Sequence, residues 1–234
     1  MAEALGRMAS AHRLIDGREE QMSTVVMIDA GALATAIRQV LPAAPPQRVT
    51  RPGADRALPP GVLVDVAGNV LRLVATDGHR LAMRDLVPQA IEGGDTSRVV
   101  PVATLDALAA RLPAHGTHEL RLDDLPEEPD QFPPYQGVME RLSGEHRLVE
   151  TIGVLRLRVE ASAPIVELDG FEPPLTVWFD SGYLLAALEA AQGPDVIVET
   201  AGPLEPALVR SATDGSFTAV VMPHRLESRA TRSE

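Results

Sequence analysis

Leu71-Arg-Leu-Val-Ala-Thr-Asp-Gly-His-Arg-Leu-Ala82 is the stretch that decides how this chain folds. An aliphatic run reaches Thr76, breaks at Asp77-Gly78 and resumes at Arg80. Asp-Gly between two apolar runs is a short-range hairpin signal, because both residues tolerate the backbone of a tight turn. Working outward, Val62, Leu63, Val64 and Val66 predict a strand before it, turned by Ala67-Gly68-Asn69. Arg80 to Leu86 predicts a strand after it, so the segment reads as a three-stranded meander. The tetrapeptide Ala-Thr-Asp-Gly recurs at Ala212 to Gly215, between predicted strands Leu208–Ala212 and Phe217–Met222. Each meander follows a helical pattern. Asp29 can cap a helix carrying Leu33, Ile37 and Leu41 and ended by Pro42, Pro45 and Pro46. Asp180 or Ser181 can cap one carrying Leu184, Leu185 and Leu188 and ended by Gly193-Pro194. A helix followed by a meander, used more than once, predicts an internally repeated α+β architecture.

The remaining segments fit the same grammar. Thr24, Val25 and Val26 predict a strand ahead of the first helix, and an exposed loop runs to Pro60. After the loop Glu92-Gly-Gly-Asp95, Val99 and Val100 predict a short strand. A helix with Leu105, Leu108 and Leu112 on one face follows, stopped by Pro113. Beyond Leu122 the chain crosses an acidic loop (Asp123, Asp124, Glu127, Glu128, Asp130) directly to Phe132. Leu155–Val159, Leu175–Phe179 and Val196–Glu199 alternate as strands do. Residues 1–22 read as an N-terminal helical or disordered tail, 23–141 as one domain, 142–228 as a second, shortened domain, and 229–234 as a tail.

Composition narrows the function classes. The 234 residues hold 21 Lys+Arg against 33 Asp+Glu, a net charge of −12. Binding driven by phosphate neutralisation calls for a basic surface, so this balance argues against tight autonomous DNA binding. With no cysteine, disulfides, thiolate metal sites and cysteine nucleophiles are excluded. Aromatics are 3% of the chain, which leaves the core to Leu, Val, Ile and Ala. No apolar run approaches the ~18–20 residues of a membrane span, and Met1 to Gln21 lacks the apolar centre of a signal peptide. The expected location is the cytoplasm.

Leu71 to Ala82 resembles the middle-domain signature of the bacterial DNA polymerase III beta subunit family, the sliding clamps. Phe132-Pro-Pro-Tyr135 resembles the turn linking that family's middle and last domains. Phe179 to Leu185, Pro206 to Arg210 and Val220-Val-Met-Pro-His-Arg-Leu226 follow the order and spacing of its last domain. The resemblance covers roughly Ile28 to Leu226. It implies two DNA-clamp-type domains, helices toward a central hole and strands in an outer sheet, with no catalytic residue and no cofactor. It also implies a pocket between the domains for linear peptide motifs of polymerases, the clamp loader and repair proteins. One wall would be Thr76, Gly78, His79, Arg80 and Leu81, and Pro133 and Val138 would come from the linker. The other wall would be Tyr183, Leu204, Pro206, Val220, Val221, Met222, Pro223 and Arg225. An apolar cleft edged by a few polar groups suits an extended peptide with apolar anchors.

The family carries three domains per chain and closes a six-domain ring. A chain with two such domains could close one as a trimer around duplex DNA, acting as a processivity factor. The alternative is a degenerate clamp domain, a regulatory or protein-interaction module that does not encircle DNA. The helices expected to face DNA supply only Arg38 and Arg111. Gly137 and His224 stand where the family usually has Arg and Met. His79 beside Asp77 could be read as a catalytic base, but Asp-Gly in a turn accounts for the pair without chemistry. The other histidines, His12, His115, His118, His146 and His224, have no metal-ligand spacing.

Overall fold

The computed structural model describes residues 23–50, 57–143, 148–152, 158–159, 165–168, 176–193 and 195–225. Residues 1–22 and 226–234, expected to be tails, lie outside them, as does Leu155 of the expected strand Leu155–Val159.

Two helix-plus-meander units appear as the repeated pattern predicts. Strand β1 (Val25–Asp29) leads into helix α1 (Ala30–Val40), followed by β2 (Gly61–Ala67), β3 (Val70–Thr76) and β4 (Arg80–Leu86). In the second half β11 (Val177–Asp180) leads into α4 (Ser181–Ala190), followed by β12 (Val196–Thr200), β13 (Ala207–Ser211) and β14 (Phe217–Val221). Both helices start by one device. Asp29 Oδ1 accepts from Ala32 N–H at 2.8 Å, and Asp180 Oδ1 from Tyr183 N–H at 3.0 Å. A carboxylate there satisfies an amide that the helix itself cannot pair.

The two Ala-Thr-Asp-Gly turns are also built alike. Asp77 Oδ1 accepts from the amides of His79 (2.9 Å) and Arg80 (3.1 Å), and Gly78 takes φ 81°, where a Cβ would be strained. At the second turn Asp214 Oδ1 accepts from the Ser216 amide at 3.0 Å. The hairpins lie side by side, because β14 pairs antiparallel with β4, Leu81 opposite Val220 and Ala82 opposite Ala219. The result is a continuous eight-stranded sheet in the order β6-β2-β3-β4-β14-β13-β12-β8, where β6 is Thr96–Pro101 and β8 is Leu148–Ile152. Arg84 of β4 forms an ion pair with Asp214 and ties the two halves together at this seam.

Alternation along the seam strands sends successive side chains to opposite faces. Ala82, Ala219 and Val221 enter the large core shared with α1 and α4, which includes Leu33, Ile37, Phe179 and Leu184. Leu81 and Val220 join a smaller cluster on the other face, with Val74, Tyr135, Leu142 and Leu208. Across the helix side, Gln39 Nε2 donates to the Ala190 carbonyl at 2.6 Å and links α1 to α4.

Several elements were not anticipated. The expected loop Glu92–Asp95 begins inside a three-residue strand, β5 (Ala90–Glu92). Strand β7 (Thr117–Arg121), which follows α2 (Val102–Arg111), completes a separate sheet in the order β5-β1-β7. Only Leu120 of β7 is buried, so its sequence lacks an apolar run. Helix α3 (Gln136–Ser143) follows the linker turn, and β9 (Arg158–Val159) and β10 (Ile165–Leu168) form a third sheet with β11. The acidic segment opens with a single 3-10 turn at Leu122–Asp124. It is pinned to β6 by Arg98, which bonds the Leu125 carbonyl at 3.0 Å and pairs with Asp123 (3.3 Å) and Glu127 (3.5 Å).

Candidate functional site

Where β4 meets β14, the face turned away from α1 and α4 is roofed by the linker turn and α3, with Leu58 alongside. A cavity of about 350 Å³ opens there. Its floor is Leu81 and Val220, and its walls are Thr76, Gly78, His79 and Arg80 on one side and Pro133, Pro134, Tyr135 and Val138 on another. Met222 and Leu58 complete the lining. Nine of the fifteen residues expected in the pocket are thus brought together. Each position follows from local structure: Asp-Gly turns the hairpin so that His79 sits at its tip, and the Met222 amide donates to the His79 carbonyl at 2.9 Å. That bond continues the β4–β14 pairing past the end of the strand.

Six expected residues do not line the cavity. Val221 is fully buried in the core on the other face, because it is adjacent to Val220 and a strand alternates. Leu204 and Pro206 lie in the connection from β12 to β13, and Leu204 is 53% exposed. Pro223 and Arg225 follow β14 outside the lining, and Arg225 is exposed. Tyr183 stands behind the lining. Its ring stacks on His79 with centroids 6.2 Å apart and lies 4.4 Å beneath the Arg80 guanidinium carbon. Arg80 Nε donates to Asp77 Oδ2 at 2.9 Å. One guanidinium is therefore held between a carboxylate and an aromatic face, which fixes the polar edge of the cavity in advance of any ligand.

Sequence reasoning missed Leu58, Pro134 and Tyr135. Leu58 arrives through a two-strand bridge with Val49 (Leu58 N to Val49 O, 2.8 Å), a tertiary contact without a local pattern. Tyr135 is 4% exposed. Asp85 holds Arg72 bidentately at 2.6 and 2.7 Å, and Asp85 foremost, with Tyr135 contributing, raises the Arg72 pKa from its already high value. The linker turn is anchored to the sheet by Tyr135, which packs with Val74, Leu81, Leu208 and Val220.

Asp77 spends one carboxylate oxygen on two turn amides and the other on Arg80, which removes it as an orienting partner for the His79 ring. Of the residues expected to face DNA, Arg38 Nη2 donates to the Ala109 carbonyl at 2.8 Å and Arg111 Nε to the Ala107 carbonyl at 3.0 Å. Both guanidiniums are partly engaged by helix α2. On the exposed positions of α1, α2 and α4 these two cations are matched by Asp106 and Glu189.

Comparison with known proteins agrees with this architecture. Residues 27–123 match the family model for the central domain of the DNA polymerase III beta subunit. No curated protein matches the sequence. The DNA polymerase III subunit beta from Pseudomonas aeruginosa superposes with a TM-score of 0.69 at 23% identity, over 92% of this chain and 70% of that one. The beta subunit from Thermotoga maritima does so at 0.63 and 17%, over 91% and 69%. The Helicobacter pylori beta clamp bound to a DNA ligase peptide does so at 0.67 and 16%, over 87% and 66%. In sequence across residues 27–123 and in fold across most of its length, this chain is thus similar to the sliding-clamp subunits of bacterial DNA polymerase III.

Proposed function

We propose that the chain is a non-catalytic, sliding-clamp-like protein that receives a linear peptide motif of DNA replication or repair partners in the cavity at the β4–β14 seam. The observation that carries this reading is the cavity itself: an apolar floor of Leu81 and Val220, a methionine at its rim and a fixed polar edge at Arg80. Apolar anchors on an extended segment would fill such a space, and they carry most of the affinity in interfaces of this kind. A solved clamp of the same fold holds a peptide of DNA ligase, which supports the chemical class of the ligand. The reading places the protein in the cytoplasm with DNA replication machinery and divides the chain into clamp-type domains over 23–141 and 142–228.

Between the two modes of action, the helix surface favours an interaction module over a DNA-encircling factor. Arg38 and Arg111 bond helix carbonyls, and the exposed carboxylates Asp106 and Glu189 on these helices offset their charge. A bore that releases few counterions gains little from duplex DNA. The test is fluorescence polarisation with a labelled Gln-Leu-Phe-type peptide, run beside the same residues scrambled, and with labelled duplex DNA. Saturable binding of the first alone is expected. Equal binding of the scrambled peptide would remove the pocket reading, and tight salt-sensitive binding of duplex would restore the encircling one.

A further inference from the structure

Among the described residues, strand β7 has one edge without a strand beside it. In the sheet β5-β1-β7 it pairs only with β1, Val26 opposite Leu120 and Ile28 opposite His118. The phase of the ladder is set at both ends, where Leu122 N–H donates to the Thr24 carbonyl at 3.0 Å and Ala30 N–H donates to the Gly116 carbonyl at 2.8 Å. Even-numbered residues of β7 therefore spend their main-chain groups on β1. Thr117, Glu119 and Arg121 turn their N–H and C=O groups outward. The same three residues are exposed, with 45% of the Glu119 and 55% of the Arg121 side chain open to solvent. No proline or bulge interrupts β7, and an edge of this kind invites another strand unless its side chains forbid one.

Those side chains are selective. Glu119 and Arg121 carry opposite charges two residues apart and already bond within the chain, Arg121 Nε to Glu119 Oε1 at 2.7 Å. If two copies of β7 approach antiparallel about a two-fold axis, outward-facing residues must oppose one another, which leaves few registers. A register centred on Glu119 sets carboxylate against carboxylate, and one centred on Arg121 sets guanidinium against guanidinium. A register centred on Leu120 sets each Glu119 opposite the other copy's Arg121, twice by symmetry, with main-chain bonds between the same residues. Opposed like charges penalise the first two, and of the three the register centred on Leu120 is the one in which both charges of each copy find an opposite partner.

We propose that β7 is a self-recognition edge, through which two copies of this chain join as an isologous dimer with Glu119 of each facing Arg121 of the other. This surface belongs to the three-stranded sheet, separate from the eight-stranded sheet that carries the β4–β14 seam, and the proposal does not depend on what the cavity binds.

The test is sedimentation equilibrium of the full chain over a hundredfold concentration range, with circular dichroism to confirm that each variant folds. A monomer–dimer equilibrium is expected. Glu119→Arg and Arg121→Glu, each of which places like charges in opposition, should each weaken it at least tenfold. The double variant Glu119→Arg/Arg121→Glu restores the complementarity and should return it to within about threefold of the parent. A chain monomeric at all concentrations, a trimer, a dimer indifferent to the single reversals, or a double variant as weak as the singles would each overturn the proposal. Amide exchange gives a second reading. Protection at Glu119 and Arg121 should rise with protein concentration, and unchanged exchange in a dimeric sample would place the interface elsewhere.

Discussion

Met222 offers the sharpest test of the pocket, because its main chain and side chain have separable roles. Its amide is held by the His79 carbonyl at 2.9 Å, so truncating the side chain leaves the strand end in place. The residue lines the cavity while 42% of it remains exposed. Full burial of a large apolar side chain is worth about 1.5–3 kcal/mol. A ligand that covers the open fraction of Met222 therefore gains about 0.6–1.3 kcal/mol, or roughly three- to eightfold in Kd. Met222→Ala should weaken binding of a Gln-Leu-Phe-type peptide by that factor in fluorescence polarisation. The fraction already buried makes truncation cost roughly 1–2 kcal/mol of stability, so thermal melting should show a lower but cooperative transition. An unchanged Kd would mean that the peptide does not cover this rim. A loss of a hundredfold or more would mean that Met222 organises the site rather than lining it, and either result refutes the reasoning.

Two further perturbations probe the frame around the site. Gly31, in the first turn of α1, has no room for a side chain, since a Cβ there would lie 2.0 Å from the Ala114 carbonyl oxygen. Gly31→Ala should cost about 1–3 kcal/mol and lower Tm by roughly 2–12 °C in calorimetry, and an unshifted Tm would show that this contact yields freely. The acid limb of the stability curve should carry two opposite contributions. Burial foremost, then the charges of Asp95 and Asp85, raises the Asp65 carboxyl against the pull of Arg72. Its contribution is therefore favourable below the unfolded pKa and lost as pH rises through the folded one. For Asp214, burial pushes upward but is outweighed by hydrogen bonds from Ser216 and Arg84, and the pKa is lowered. Its contribution is present above the unfolded pKa and lost as pH falls through the folded one. At neutral pH Asp65→Asn should raise stability and Asp214→Asn should lower it; the first difference should vanish below about pH 4, the ordinary aspartate range, and the second only at lower pH, once the depressed Asp214 pKa is crossed. Chemical denaturation across pH checks the signs, and two changes of the same sign would defeat the argument.

The elements that were legible in the chain share a local cause. Asp29 and Asp180 cap helices by reaching amides three residues ahead, and each Asp-Gly turn is closed by its own aspartate. Such contacts span two to four residues, so the pattern that encodes them is contiguous. Strand β7 and helix α3 escaped the reading because their burial comes from elsewhere. Thr-His-Glu-Leu-Arg buries one side chain against β1, and the residues of α3 that join the small cluster, Val138, Met139 and Leu142, pack on the sheet seam.

The same division runs through the candidate site. From residues alone came the repeated helix-and-meander plan, the two hairpins, the aliphatic core and most of the pocket's membership. Only the folded chain could separate Val220 from Val221, because pleating sends neighbours to opposite faces, and the helices fill one face while the linker turn and α3 border the cavity on the other. Only it could bring in Leu58 across the bridge to Val49, seat Arg80 between Asp77 and Tyr183, and leave β7 with an open edge. Short-range hydrogen bonding is written in adjacent letters. Pairing between strands more than a hundred residues apart is decided by which surfaces remain to be buried once the local elements exist.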